Sequence, residues 1–324
     1  MLFSFIIPVY NRPDELDELL FCIQNQTQKN FEIVIIEDGS KNTSKDVVSK
    51  YQSCGLPINY LEKDNAGQGF ARNDGFKIAK GDFFIILDSD ALIEPNYLQI
   101  VEKEITEQKL DLFGGPDKDH PSFTAIQKAI SYSMTSLFTT GGIRGKKSNV
   151  AGTFHPRSFN MGISRKVFEV TKGFKITRMG EDIEFSIRCI SLGFKSGLIP
   201  EAFIYHKRRT SFGQFYKQLH FFGRARINIG RFFPKELKLV HYFPLAYLMG
   251  SLFAIISITF FSNSPISQIL FGGWVLYNLG IFIDATRIYK SIKIGILALI
   301  AANIQLSAYG LGFVKEKLGL IKDK

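Results

Sequence analysis

The sequence predicts an α/β chain: a mostly parallel, doubly wound sheet up to about residue 235, followed by C-terminal transmembrane helices. Three observations carry this. Short apolar runs that end in polar groups recur at FSFIIPVYNR (Phe3–Arg12), IVIIEDGS (Ile33–Ser40) and FFIILDSD (Phe83–Asp90). Stretches with helical spacing separate them, which is the alternation of βαβ units. After Val240 charges almost vanish for long stretches, the composition of membrane spans.

Taken in order, Phe3–Val9 is a short apolar run bounded by turn residues, so it predicts a buried strand. Leu16, Leu19, Leu20 and Ile23 recur at helical spacing over Asp14–Gln24, with Pro13 and Asp14 suited to the first turn. Strands are expected at Phe31–Ile36, Ile58–Leu61 and Asp82–Leu87, and helices at Ser44–Tyr51, Gly69–Ala79 and Phe185–Leu192. Glu184 and Arg188, four apart, predict a surface pair on the last of these. Phe212, Phe215, Tyr216, Leu219, Phe222 and Gly223 recur at helical spacing with interleaved bases. That pattern suits a helix lying in a membrane interface, and equally a helix packed on the soluble core. Uncharged stretches at 242–261, 265–283 and 294–314 are long enough to span a bilayer, the third softened by Asn303, Gln305 and Ser307. The expected organisation is a soluble domain over 1–235 and a membrane region over 236–324 with two or three spans.

Bulk properties narrow the function. The net charge of +10 fits a surface beside anionic lipid. A nucleic-acid partner is not expected, because no zinc-finger, helix-turn-helix or RNA-binding motif accompanies the charge. The three cysteines lack metal-ligand spacing, which predicts a reducing compartment and no disulfide framework. The apolar N-terminus lacks the basic start of a signal peptide. Bases before the first span and at 287–293, with none at Ser262–Ser264, place the soluble domain in the cytosol by the positive-inside rule. A third full span would then put Lys315–Lys324 outside, against that rule; a tilted or re-entrant segment would not.

The chemistry sits at strand ends. In open α/β sheets ligands bind beyond the carboxyl ends of the strands. Asp88 and Asp90, one residue apart around Ser89, can both serve one divalent cation carrying a phosphorylated ligand, or lie in a solvated turn with Asp90 as a cap. The stretch NAGQGFARN (Asn65–Asn73) offers glycines and a helix N-terminus to phosphate, and Arg72 a fork of donors, although glycines before a helix also make ordinary turns. Asp182 at a helix start suits either a first-turn acid stabilised by the helix dipole or a general base.

The segments FIIPVYNRPDEL, EDGS, NAGQGFARNDG, DSDA, FNMGISR and GEDIEFSIR, in this order, closely resemble glycosyltransferase family 2, over roughly residues 1–235. The resemblance implies a GT-A fold and transfer of a sugar from a nucleotide-sugar donor, a UDP-sugar, with inversion and with Mg²⁺ or Mn²⁺. It implies that Pro8, Val9 and Tyr10 lie against the base, that Asp38 hydrogen-bonds it, and that Arg72 lies beside base and phosphates. Asp88, Ser89 and Asp90 match the DxD segment that clamps the diphosphate, with Asp90 as direct metal ligand. Asp182 matches the catalytic base, and His206 a position near the metal or diphosphate.

Two departures bear on the acceptor. The Gln-x-x-Arg-Trp motif of processive synthases is absent from Gln214–Phe222, which favours transfer of a single sugar. The Gly-rich, basic stretch Thr139–Ser158 suits a lid or a plain loop. The expectation is an enzyme on the inner or plasma membrane, acting on a lipid-linked glycan in cell-surface polysaccharide synthesis. Its rivals are a polyprenyl-phosphate hexosyltransferase and a non-catalytic membrane-bound partner that retains the nucleotide-sugar fold. A nucleotidyltransferase would need a basic Gly-rich loop after the first strand, which IPVYNRPDEL is not.

Overall fold

The computed structural model describes residues 1–140 and 154–320. They divide into two compact units: 1–120 with 154–207, and 121–140 with 208–320.

In chain order the first unit begins with β1 (Phe3–Val9), α1 (Pro13–Gln24), β2 (Phe31–Asp38), α2 (Lys45–Ser53), β3 (Ile58–Lys63), α3 (Gln68–Ile78), β4 (Phe83–Leu87), β5 (Ala91–Ile93), α4 (Tyr97–Gln108), β6 (Leu112–Gly114) and β7 (Asp117–Lys118). The second unit contributes α5 (Ala125–Thr135) and α6 (Leu137–Thr140). The chain then returns to the first for β8 (Asn160–Ser164), α7 (Arg165–Thr171), α8 (Glu181–Ser191), β9 (Ser196–Leu198) and β10 (Ile204–His206). The second unit closes with α9 (Phe212–Phe232), two short 3-10 turns, α10 (Phe243–Phe260), α11 (Pro265–Tyr289) and α12 (Ile292–Lys317).

The main sheet has the order β3-β2-β1-β4-β8-β6-β9. β3, β2, β1 and β4 run parallel, as do β6 and β9, whereas β8 is antiparallel to both neighbours. The chain winds outward from β1 through β2 to β3, then returns to β4 on the other side of β1. That reversal opens a crevice beyond the ends of β1 and β4. The central strands β1, β2 and β4 are buried on both faces, which is why they read as continuous apolar runs. Their side chains alternate between two cores. Phe5, Ile7, Ile33, Ile35, Ile85 and Leu87 face one; Ile6, Val34, Ile36, Phe84 and Ile86 face the other. Phe76 of α3 stacks on Phe84 and Phe174, with centroids 5.3 and 6.1 Å apart. Each such fully buried ring contributes roughly 1.5–3 kcal/mol.

Two details depart from the sequence reading. α8 starts four residues earlier than expected, because Gly180 takes the left-handed φ of +100° and turns Glu181 and Asp182 into the first helical turn. The Glu184–Arg188 pair forms at 2.6 Å but is no surface pair. Arg188 also donates to the carbonyls of Thr171 and Gly173, which draws the pair into the unit.

A second, small sheet has the order β5-β10-β7. β10 runs antiparallel to β5 with His206 opposite Ala91, and parallel to β7 with Ile204 opposite Asp117. This sheet carries a late segment of the chain to the end of β4.

In the second unit α12 is the central helix. Ala298, Ala301, Ala302 and Ala308 of α12 share a core with Ala129 and Ile130 of α5, Phe215 and Leu219 of α9, and Ile281 and Ala285 of α11. Leu239–Phe260, Pro265–Tyr289 and Ile292–Lys317 are long and apolar enough to cross a membrane. The first two expose most of their large apolar side chains, such as Phe253 and Leu276.

Candidate active site

The site is built at the crevice between the ends of β1 and β4. β4 stops at Leu87, and the turn that follows presents Asp88 and Asp90. The register of β10 against β5 sets His206 beside them. One ligand atom from each of Asp88, Asp90 and His206 lies within 4.8 Å of the others. His206 Nε2 is 3.1 Å from Asp90 Oδ1, and its Nδ1 faces Asp117 Oδ2 at 3.9 Å. Phe159 stacks on the imidazole at 5.3 Å. At that distance Asp117 acts on the ring by charge and not by a hydrogen bond.

Each acid is also held by an arginine. Arg12 Nη1 donates to Asp90 Oδ2 at 2.9 Å, and Arg72 Nη2 to Asp88 Oδ1 at 2.8 Å. Burial opposes the Arg12 charge, but Asp90 and Glu15 outweigh it and hold its pKa above the ordinary value. Arg72 is almost wholly buried and bridges from Asp88 to Glu181 Oε1 at 3.3 Å. Gln68 donates to the same carboxylate. Burial pushes the Glu181 carboxyl up, neighbouring Asp182 adds to the rise, and Arg72 opposes it. Arg72 therefore ties the end of β4 to the first turn of α8.

Asp182 lies on that turn, partly exposed, with Oδ1 accepting from its own helix at Ile183 N (2.8 Å). Arg157 Nη1 stands 3.4 Å from both of its oxygens. The contact to its own helix orients the carboxylate, and the long Arg157 contacts hold it weakly.

The remaining sequence candidates sit around the rim. Val9 is buried, Pro8 half-buried, and Tyr10 exposed just beyond β1. Ser89 is buried between the two acids. The Asp38 carboxylate accepts from the backbone N–H groups of Ala66 and Gly67 at 2.8 and 2.9 Å. In this state it fastens the loop before α3. Gly67 is needed there: its φ is +88°, and a Cβ would meet Thr177 Oγ1 at 2.3 Å. The proposed lid over 139–158 falls mostly outside the described residues.

The structure thus brings Asp88, Asp90 and His206 together and links them through Arg72 and Glu181 to Asp182. Sequence reasoning missed Arg12, Glu181, Asp117 and Arg157 as members of the cluster. Arg12 and Glu181 lie inside the segments that carry the resemblance. Asp117 and Arg157 have no local signal.

Two carboxylates and one imidazole form a mostly hard donor set, and this fits Mg²⁺ or Mn²⁺. The two arginines now neutralise the charge that such an ion would neutralise.

The family model described as Glycosyl transferase family 2 matches residues 4–171, more than half of the chain. Among curated proteins, the glycosyltransferase GlyA of Streptococcus pneumoniae serotype 4 is 37% identical over 112 residues, covering 35% of this chain and 16% of that protein. The dolichyl-phosphate beta-glucosyltransferase of Trichomonas vaginalis is 29% identical over 164 residues, covering 46% and 51%. The chain spans about half or less of the length of these relatives. Among solved structures, a mannosyltransferase from Pyrobaculum calidifontis in complex with GDP-Man and Mn²⁺ superposes with a TM-score of 0.66 at 16% identity, covering 93% of this chain and 86% of that one. Residues 1–349 of S. aureus TarS, in complex with UDP, give 0.51 at 19% identity, covering 98% and 92%. At such identities the likeness carries the fold: a GT-A-like α/β sheet followed by apolar helices.

Proposed function

The chain belongs to glycosyltransferase family 2, and from that premise we propose that it transfers one sugar, with inversion, from a nucleotide-sugar donor to a lipid-linked glycan at the cytoplasmic face of a membrane. The observation that carries this reading is the cluster of Asp88, Asp90 and His206, joined by Arg72 and Glu181 to Asp182. One donor sugar fits between a metal–diphosphate clamp and a general base.

In the proposed reaction, the acceptor hydroxyl oxygen bonds to the anomeric carbon while the bond from that carbon to the diphosphate oxygen breaks. The hydroxyl proton passes to Asp182. Before this, Asp182 leaves Arg157. Asp90, with Asp88 and His206, would hold Mg²⁺ or Mn²⁺, which when bound offsets the charge gathering on the leaving diphosphate. Tyr10, Pro8, Val9 and Asp38 line the proposed base pocket, and Ser89 the diphosphate side. A UDP-sugar is the proposed donor, as the sequence resemblance implies; solved structures that share the fold hold UDP in one case and GDP-Man in another. The lipid-linked acceptor is supported by chain continuity: Lys207 closes the first unit and α9 opens four residues after Arg208, leading directly into apolar helices. A second reading, transfer to polyprenyl phosphate itself, is favoured by the match to a dolichyl-phosphate glucosyltransferase. A product of one sugar on one lipid phosphate would identify it.

The test uses full-length protein in detergent, nucleotide sugars, and Mn²⁺ or chelator. Asp90→Ala should abolish the metal-dependent part of donor binding. Asp182→Asn should leave donor binding intact and cut turnover by about 10²-fold or more. Equal loss of donor affinity in both variants, or unimpaired turnover in Asp182→Asn, would overturn the assignments, and unimpaired function in cells after Asp182→Asn would point to a non-catalytic binding role.

A further inference from the structure

Three helices of the second unit are apolar enough to span a bilayer, yet α12 differs from the other two in how it packs. α10 and α11 form an antiparallel hairpin joined by residues 261–264. Their level is marked by Tyr247 and Asn278, whose polar atoms lie 3.5 Å apart.

Along α11, α12 climbs toward the hairpin tip. A Cβ at Gly295 would touch Thr286 Oγ1 at 2.0 Å, and eight residues later Asn303 Nδ2 donates to Asn278 Oδ1 at 2.7 Å. Along α10 it descends toward the base. Tyr247 Oη donates to Asn303 Oδ1 at 2.6 Å, Gly310 abuts Pro244 O, Phe313 packs on the Tyr242 ring at 5.0 Å, and Lys317 Nζ lies 5.2 Å over that ring. One continuous helix approaches the tip along one leg and the base along the other only by crossing the hairpin. The crossing at Tyr247 is about 6 Å above the start of α10, at 1.5 Å per residue.

α9 fixes the same orientation independently. A Cβ at Gly312 would meet His220 O at 2.0 Å, one at Gly223 would meet Tyr309 O at 2.1 Å, and Arg224 pairs with Glu316 at 3.0 Å. The Cβ at Gly223 would also lie 2.8 Å from Phe313 N, so from His220–Gly312 through Gly223–Phe313 to Arg224–Glu316 the residue numbers rise together, and the two helices run side by side at a shared depth. α9 carries Lys217, Arg224, Arg226 and Arg231, and a helix so charged does not lie across hydrocarbon. Arg231 also reaches Glu316, at 2.8 Å.

We propose that only α10–α11 crosses the bilayer, and that α9 and α12 together form a platform seated in the interface of one leaflet. The partner of this surface is anionic lipid. Ile292, Ile296 and Ile300 of α12 and Phe232 of α9 are exposed, as are Leu239 and Val240 of the turn that follows α9, and Lys235 and Lys238 flank the segment that enters α10. Both ends of α12 then lie on the side of Lys235. Lys315 and Lys317 then face the anionic leaflet, in accord with the positive-inside rule.

The proposal rests on the membrane reading given above, and one experiment separates the two. Single cysteines N263C, K235C and L320C are placed in a background lacking Cys22, Cys54 and Cys189. They are labelled with an impermeant maleimide in sealed vesicles of both orientations. L320C and K235C should label from one side and N263C from the other. Labelling of L320C together with N263C, opposite K235C, would overturn the platform while leaving the membrane reading intact. Labelling of all three from one side would overturn both. Should the cysteine-free background fail to fold, a protease site inserted after Gly319 in the otherwise unaltered chain reads the same question. Cleavage from the Lys235 side supports the platform, and cleavage from the opposite side removes it.

Discussion

Two polar clusters among the described residues are built on opposite terms. In the first unit Arg12, Arg72, Asp88, Asp90, Glu181 and His206 form a charged network at the ends of buried strands. In the second, Tyr247, Asn278 and Asn303, one from each apolar helix, close a neutral ring of hydrogen bonds. A charged cluster in a partly buried place costs desolvation, and pairing repays that only in part. Such a cluster persists where the partners of the acids are to be exchanged for a ligand. A neutral ring has nothing to exchange and serves to hold helices together. The difference predicts that breaking the first alters binding and its electrostatics, and that breaking the second alters stability alone.

The largest effect is expected at Arg72. It is buried and neutralises Glu181, which is itself buried, so Arg72→Gln strands a carboxylate and should cost about 3–5 kcal/mol. Thermal unfolding measures it, and Arg72→Gln with Glu181→Gln should recover much of the loss. The pH dependence follows from Glu181. Its carboxyl is raised by burial in the folded chain. The folded state is therefore favoured below the ordinary carboxylate range, and that advantage is lost as pH rises through the raised value. Glu181→Gln should flatten this part of the stability profile. A profile unchanged by Glu181→Gln would show that Arg72 already offsets the burial fully.

At the neutral ring the expected change is smaller. Asn303→Leu removes both of its hydrogen bonds to α10 and α11 and should cost about 1 kcal/mol in detergent, since interhelical hydrogen bonds among apolar helices are worth little. Donor binding should not change. Altered donor affinity in this variant would break the separation between the clusters.

How much of this was legible follows from the range of the forces involved. β1, β2 and β4 could be read because doubly buried strands must be apolar runs bounded by turns. Asp88 and Asp90 could be read because they close one such run. His206 could not be placed from local pattern, because its position depends on β10 pairing with β5, a register set by chain far away. Arg72 reads as a phosphate ligand in sequence, yet in the folded chain its guanidinium holds Asp88 and Glu181; only the packing of α8 against α3 shows that. Asp38, read as a base-pocket acid, spends its carboxylate on the backbone of Ala66 and Gly67. The three apolar stretches were legible by composition as helices long and apolar enough to span a bilayer. The orientation of α12 was not, because it is decided by contacts at Gly223, Gly295, Gly310 and Gly312 that hydropathy does not register.

The smallest effect, and the sharpest discrimination, lies at Arg12. Its guanidinium occupies Asp90 Oδ2 from a partly exposed position and is also drawn toward Glu15 at 3.3 Å. A divalent ion entering between Asp88, Asp90 and His206 must displace that contact and tolerate the nearby positive charge. Water reaches the Arg12 end of this part-buried pair and screens it, so the pair is worth about 1 kcal/mol. Arg12→Gln should therefore tighten Mn²⁺ binding, measured without donor by calorimetry, by up to roughly fivefold. The opposite sign is equally informative. Weaker Mn²⁺ binding would mean that Arg12 orients Asp90 for the ion instead of competing with it, and the charged cluster would then resemble the neutral ring, a scaffold rather than a set of exchangeable partners.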